Sequence, residues 1–581
     1  MRKQLLCAAL LSGLAVVGLV PAAQATQGPR THEFVVAFKR GTSAREARAA
    51  IAAAGGKVVR QNRAIGVATV RSNDTAFARR VSRQAAVSGA AANATIGHAP
   101  GAGQKEGPPW RRIEEERSNG RSGRGDAPAV NGDQLSGLQW DMQMIGATPS
   151  GSYARQQGSK AVRVGVMDTG IDGSHPDIAP NFDSALSRNF TVDNPFPGID
   201  DGPCEHPSCV DPNNEDDDGH GTHVAGTIGA ALNGIGVGGV APRVDLVNIR
   251  VGQDSGFFLL DPFLKGLTYA AQSGIDVVNM SFFIDPWLFN CAANPADTPE
   301  QQQEQRAIID MTQRAVSYAR SRGVTLVAAA GNEWTDLGNP TFDDTSPDFG
   351  PAPHARNIDN TCLTMPTEAD GVVVVSSVGP VEPGSPYPRK AFYSNYGAEQ
   401  IDVAAPGGDS RTFFGTPQFN APQNRILNAY PLNVARACEE VDANGAPNGA
   451  TICDVNNPGK VVPRAVPLVR DCFNGKCALY QWIQGTSMAA PHAVGVAALI
   501  VAQNGRRDRA NGGLTMEPAK VARILRKTAT NTPCPAQEPF VYPSNPGVFD
   551  ATCVGSADFN AFYGDGIINA QAAVRGSGGR D

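Results

Sequence analysis

Four short segments carry residues that could together break an acyl bond. The stretch from Gln484 to Val494 sets Ser487 among small residues. A serine hydroxyl is a weak nucleophile at its ordinary pKa, so it needs a base, a group that orients the base, and donors for the oxyanion. His220, between Gly219 and Gly221, is a candidate base whose glycine neighbours would let substrate and nucleophile approach. An apolar run from Val164 ends on the carboxylate of Asp168, and the run from Val327 delivers Asn332 after a small-residue turn. An asparagine amide there can donate to a developing oxyanion. Each segment also has another reading. Asp168-Thr169-Gly170 resembles the loop of a paired-aspartate site, but that chemistry needs two such loops and no second one occurs. His220 and His223 follow an acidic run and could suggest zinc, yet the glutamate of a HExxH motif is missing, so His223 reads as structural.

The elements that must position these residues alternate in type. Buried-strand runs cover 161–167, 275–281, 324–330 and 372–378, with helical patterns over 264–273, 304–322, 492–503 and 518–528. Such alternation points to an α/β domain with a mostly parallel sheet, and Asp168 at a strand's C-terminal end lies where such sheets bind ligands. Ahead of it the pattern reads as strand 34–38, helix 44–54, strands 57–60 and 64–70, then helix 74–86: a small α+β unit. Residues 1–25 read as an export signal: Arg2 and Lys3, an apolar run and an Ala23-Gln24-Ala25 cleavage site. No stop-transfer pattern follows, so no stable membrane anchor is expected. The linker over 99–136 is rich in Gly, Pro and charge and reads as exposed, which suits a maturation cut. The tail is 575–581.

At 41% apolar and 18% charged residues the composition is that of a globular protein. Residues 26–135 hold 18 Lys+Arg against 9 Asp+Glu, whereas 136–581 hold 30 against 47. With no aromatic interleaving or binding motif, the basic front segment predicts no nucleic-acid partner but attraction to the chain's own acidic remainder. Cys7 leaves with the signal, and ten cysteines in an exported chain suggest disulfides. Cys204/Cys209, Cys472/Cys477, Cys438/Cys453 and Cys534/Cys553 are candidate pairs, although spacing alone does not decide connectivity.

In the chain order Asp168, His220, Asn332, Ser487, these segments resemble the subtilisin-like serine proteases, peptidase family S8. The resemblance spans 137–574 and extends to Ser174-His175-Pro176-Asp177, Asn279-Met280-Ser281 and Gly564 to Ala570. It implies a three-layer α/β domain with a mostly parallel central sheet, preceded over 26–98 by a small α+β, ferredoxin-like, inhibitor-type prodomain. A generic α+β binding module is the other reading of that front unit. The roles implied are nucleophile for Ser487, base for His220, orienting acid for Asp168 and oxyanion donor for Asn332. Ser281, Phe282, Phe283, Ser255, Gly256, Ala330 and Gly331 would bind substrate.

The implied activity is a secreted endopeptidase, extracellular or in the cell envelope. It would be a monomer, act on proteins or peptides, and be inhibited by its own prodomain until cut. A narrow-specificity processing protease and a non-catalytic binding relative are the alternatives. The chain departs from the family in its cleft, where Phe282-Phe283 stand in place of Gly-bearing sequence and would narrow the pocket. No cofactor is required for the chemistry. Asp177 matches a calcium ligand and Asn233 lies in the corresponding loop, which is one residue short, so structural calcium and a simple surface turn both stay open. Insertions over 194–217, 285–303, 334–360 and 409–480 read as disulfide-braced surface loops.

Overall fold

The computed structural model describes residues 32–93, 114, 128–193, 204–348, 354–448, 451–453, 461–463 and 466–575. The expected export signal, the tail beyond residue 575 and most of the linker lie outside these residues. The front unit consists of β1 (His32–Phe38), α1 (Ala44–Ala53), β2 (Lys57–Asn62), β3 (Val67–Ser72), α2 (Phe77–Val81) and β4 (Val87–Ala92). Its antiparallel sheet has the order β2-β3-β1-β4. The second helix is much shorter than the expected 74–86, and β4 went unforeseen because its Val-Ser-Gly-Ala-Ala-Ala sequence carries almost no strand signal.

The main sheet is built from β5 (Arg163–Asp168), β6 (Arg188–Asn189), β7 (Asp245–Arg250), β8 (Val277–Met280), β9 (Thr325–Ala329), β10 (Val373–Val378) and β11 (Val403–Pro406). All seven are parallel, in the order β11-β10-β9-β8-β5-β7-β6. Their near-continuous Val, Ala and Ile content fits a sheet covered on both faces. One face packs on α3 (His220–Gly229) and on α6 (Thr486–Asn504), the other on α4 (Leu260–Gln272) and α5 (Pro299–Ser321). Among the described residues α6 alone is long and apolar enough to cross a membrane, and 89% of its apolar window is buried inside the protein, so it is a core helix. α7 (Pro518–Lys527) buries its Val521 and Leu525 against the same core, and α8 (Ala570–Arg575) closes the domain.

The 409–480 insertion is not a surface loop. It contributes β12 (Ile426–Tyr430), β13 (Val469–Phe473) and the start of β14 (Lys476–Ile483), an antiparallel sheet in which Trp482, Tyr480 and Leu427 are at most 2% exposed. The 285–303 and 334–360 insertions interlock through Arg356, fully buried between Asp297 (2.8 Å) and Asp343. Disulfides join Cys204–Cys209, Cys291–Cys362, Cys472–Cys477 and Cys534–Cys553. Cys438 is also disulfide-bonded, while the side chain of Cys453 lies outside the described ones.

The front sheet docks on α4 and α5. Val35, Ala37, Ile65, Val67 and Ala91 join the core cluster of Phe263, Leu267 and Ile308. Thr69 Oγ1 donates to Asp261 at 2.7 Å, Arg314 donates to the Phe38 carbonyl at 2.7 Å, and the Ala92 N–H donates to Glu304 at 3.0 Å. Among the described residues a single ion pair within 4 Å, Arg79–Glu300 at 3.5 Å, crosses this contact. Packing and hydrogen bonds make most of the short-range contact. The small residues of β4 now have a reason: a Cβ on Gly89 would lie 2.9 Å from Cβ of Ala307 on α5. Gly89→Val should destabilise the docked front unit by about 1–3 kcal/mol through overpacking. Calorimetry of the full chain would show this as an earlier first transition; an unchanged transition would contradict so close a contact.

Candidate active site

Asp168 ends β5 and His220 begins α3, and their side chains meet with Oδ1 and Nδ1 2.6 Å apart. Both are buried, at 0% and 5% exposure. The approach depends on two glycines. Gly219 has φ of +103°, a left-handed conformation that turns the chain into the helix. A Cβ on Gly221 would stand 2.1 Å from the Gly170 carbonyl oxygen and 3.0 Å from Cβ of Asp168. The glycine thus serves contact between α3 and the Asp168 turn rather than access for substrate. Asp216 secures the helix end. Its buried carboxylate accepts hydrogen bonds from the Gly219 N–H (2.9 Å), the Thr222 N–H (2.9 Å) and hydroxyl (2.6 Å), and the Thr169 hydroxyl (3.1 Å). An anion at a helix N-terminus satisfies orphan N–H groups and the helix dipole together. His223 faces away, its Nε2 3.2 Å from the carbonyls of Ile426 and Gln481, and burial pushes its pKa down to about 3. It ties α3 to the β12–β14 sheet and takes no part in the site.

Ser487 is the second residue of α6, where the helix N-terminus favours negative charge. Pro491 lies inside that helix and has no N–H, so the carbonyl four residues back, that of Ser487, is left without its helical partner. The Ser281 hydroxyl donates to it at 3.0 Å, and Ser487 Oγ donates to the Ser281 carbonyl at 3.3 Å. Ser281 directly follows β8, so these two bonds fix the serine to the central sheet. Asn332 follows β9. Its Oδ1 accepts from the Thr486 N–H and hydroxyl, both at 2.9 Å, which turns the Nδ2 donor toward the centre. Gly331 has φ of +104°, and a Cβ there would meet Asn395 Nδ2 at 2.3 Å; that amide donates to the Ala330 carbonyl at 3.0 Å.

Sequence reasoning missed Glu114. Linker composition predicted exposure, yet this residue is 1% exposed and sits between His220 and Asn332. One carboxylate oxygen lies 3.4 Å from His220 Nε2, and the other accepts from Asn332 Nδ2 at 3.4 Å. Its carbonyl accepts from the Gln484 N–H at 3.2 Å, and a Cβ on Gly485 would collide with its side chain at 2.6 Å. Its own backbone is helical rather than extended. The acid run 114–116 gave no signal separating this carboxylate from a solvated charge cluster. Burial alone would lower the His220 pKa, but Asp168 and Glu114 outweigh it and push it up from 6.5 to about 10. The pair's stabilising effect is therefore complete below about pH 6.5 and is lost as pH rises through about 10.

The structure divides the expected substrate residues. Phe282, which stacks on Phe258 with ring centroids 4.2 Å apart, borders a small cavity beside Ser487 together with Phe283, Gly331 and Ser281. Ser255 and Gly256 sit in a turn closed by its own backbone bonds, Gln253 N–H to Phe257 and Gly256 N–H to Gln253, both 2.9 Å, and anchored by the Arg250–Asp254 ion pair. Asp177 and the 232–237 loop do come together. However, Asp177 accepts from the Tyr480 hydroxyl at 2.8 Å and the Val237 N–H at 3.2 Å. Asn233 donates to the Pro176 carbonyl at 3.0 Å and accepts from Ile235 at 3.1 Å. Asn233 is spent on its own turn and Tyr480 is seated on Asp177 Oδ2, while Asp177 Oδ1 has no hydrogen-bond partner, so these two residues alone offer fewer oxygens than the six to eight that calcium takes.

A parallel α/β sheet with this Asp–His pair, a serine at a helix N-terminus and an oriented amide defines a serine endopeptidase. The chain belongs to the subtilase family: the Peptidase_S8 pattern matches residues 159–564. It is 25% identical to subtilisin DY of Bacillus licheniformis over 71% of this chain and 91% of that one. It is 26% identical to subtilisin Savinase of Lederbergia lenta over 75% and 99%. In fold it is similar to the epidermin leader peptide processing serine protease of Staphylococcus aureus, with a TM-score of 0.59 at 20% identity over 95% of this chain and 100% of that one.

Asp216→Ala would strip the α3 N-terminus of several charge-assisted bonds, each worth roughly 1.5–3 kcal/mol. The expected result is a loss of several kcal/mol in urea unfolding together with a fall in kcat. Stability and kcat at the level of the unaltered protein would contradict a role in setting His220.

Proposed function

We propose that this chain is exported as a preproenzyme and hydrolyses peptide bonds of proteins or peptides through an acyl-enzyme on Ser487. His220 takes the serine proton as Oγ attacks the scissile carbonyl and returns it to the leaving amine. Asp168, bonded to Nδ1, keeps the imidazole in the useful tautomer and stabilises the imidazolium. The Asn332 amide and the Ser487 N–H stabilise the oxyanion. The Asp168–His220 contact of 2.6 Å carries this reading. The apolar run from Leu5 to Val20 with its Ala23-Gln24-Ala25 site, and the disulfide-rich main domain, support export to the cell envelope or beyond.

The same reading includes autoinhibition. The front α+β unit is the prodomain, and Glu114 in the segment after it is the blocking group. Its carboxylate brings negative charge between His220 and Asn332, the place an oxyanion complex would occupy. It also favours the imidazolium, which cannot accept the Ser487 proton. The helical backbone at Glu114 supports a plug rather than a substrate laid along a cleft strand. Cleavage and departure of this segment would unblock the site. The seat of Phe283 beside Ser487 favours narrow specificity over broad digestion.

Labelling with a fluorophosphonate probe tests both parts. Ser487→Ala should abolish labelling; labelling retained at another serine would refute the nucleophile. In the uncut full chain, Glu114→Ala should speed labelling at pH 7 by at least about tenfold. An unchanged rate would refute the plug.

A further inference from the structure

Beside Ser487 and Asn332 lies a cavity of only about 20 Å³, walled by Phe282, Phe283, Leu288, Ala329, Thr364 and Thr367, and by Glu333, whose carboxylate accepts from Asn395 Nδ2 at 2.8 Å. A peptide whose scissile carbonyl sits between the Ser487 hydroxyl and the Asn332 amide carries the preceding side chain over Gly331 toward it. We propose, resting on the peptidase reading above, that the enzyme cleaves after serine, alanine or glycine, with Phe283 and Leu288 excluding larger side chains. Thr364 would select serine among the three.

The cavity has room for about one water. A methyl or hydroxymethyl group can replace that water, whereas a leucine or phenylalanine side chain would have to displace a wall. The walls are poorly placed to move. They come from three segments, of which 282–288 and 364–367 are joined by the nearby Cys291–Cys362 disulfide and by antiparallel pairing of Leu363 with Asn290. The Ile284 N–H donates to the Met365 carbonyl at 2.8 Å, and the Leu288 N–H donates to Ser346 Oγ at 3.0 Å. The Thr367 hydroxyl donates to the Ala329 carbonyl at 2.9 Å. Phe282 is held by its stack on Phe258, and both it and Phe283 line the cavity. The remaining wall hydroxyl is unusual. Thr364 is 2% exposed, and its Oγ1 has no hydrogen-bond partner. A buried hydroxyl left unpaired needs an explanation, and the hydroxyl of a serine side chain in the cavity would supply one.

The test uses processed enzyme, its active sites counted by fluorophosphonate labelling, on matched fluorogenic peptides with Gly, Ala, Ser, Leu, Phe or Lys before the scissile bond. We expect kcat/KM for Ser and Ala to exceed that for Leu, Phe and Lys by at least about tenfold. Phe283→Gly, or Leu288→Ala if the first fails to fold, should raise the ratio of Leu or Phe cleavage to Ala cleavage about tenfold. Thr364→Val should remove a severalfold preference for Ser over Ala. Leu or Phe cleaved as fast as Ala by a labelled enzyme would overturn the proposal. Absence of labelling would instead overturn the peptidase reading on which it rests.

Discussion

The 2.6 Å contact between Asp168 and His220 is the constraint around which the main domain is arranged. It requires the start of α3 to press against the turn after β5, and that proximity leaves no room for a side chain at position 221. It also requires the helix to start at His220, which the left-handed Gly219 and the carboxylate of Asp216 bring about. His223, one turn on, ties the same helix to the carbonyls of β12 and β14. Backbone conformation, close packing and buried hydrogen bonding therefore converge on one imidazole.

The serine side of the site follows a similar logic with different means. A proline within α6 frees the Ser487 carbonyl, and the hydroxyl at the end of β8 takes it up. The neighbouring Thr486 orients Asn332 at the end of β9. Sheet and helix are thus joined through the residues that would do the chemistry. Into this frame comes Glu114, a carboxylate from far upstream that meets both the imidazole and the amide. The cost of burying its charge is offset by the imidazolium it favours and by the Asn332 donor.

Much of this was legible in the sequence. The four main-sheet strands read from apolar runs lie where expected, because a sheet covered on both faces demands unbroken apolar sequence. Asp168, His220, Ser281, Asn332 and Ser487 converge on one centre because the motifs sit at strand ends and helix starts. α6 starts six residues before the expected 492 because Pro491 within it leaves only one carbonyl to be satisfied. β4 was invisible because its composition answers to the helix it touches. The sheet of the 409–480 insertion was hidden by Pro- and Asn-rich flanks. Glu114 was the deepest omission: nothing local separates a carboxylate that reaches a distant imidazole from one in water.

The most direct measurement is an NMR titration of His220 in full-length Ser487→Ala protein, with and without Glu114→Gln. The account predicts an imidazole that stays protonated to about pH 10 when Glu114 is present, with a clearly lower midpoint in the Gln variant. A midpoint near 6.5 that does not respond to the substitution would contradict it.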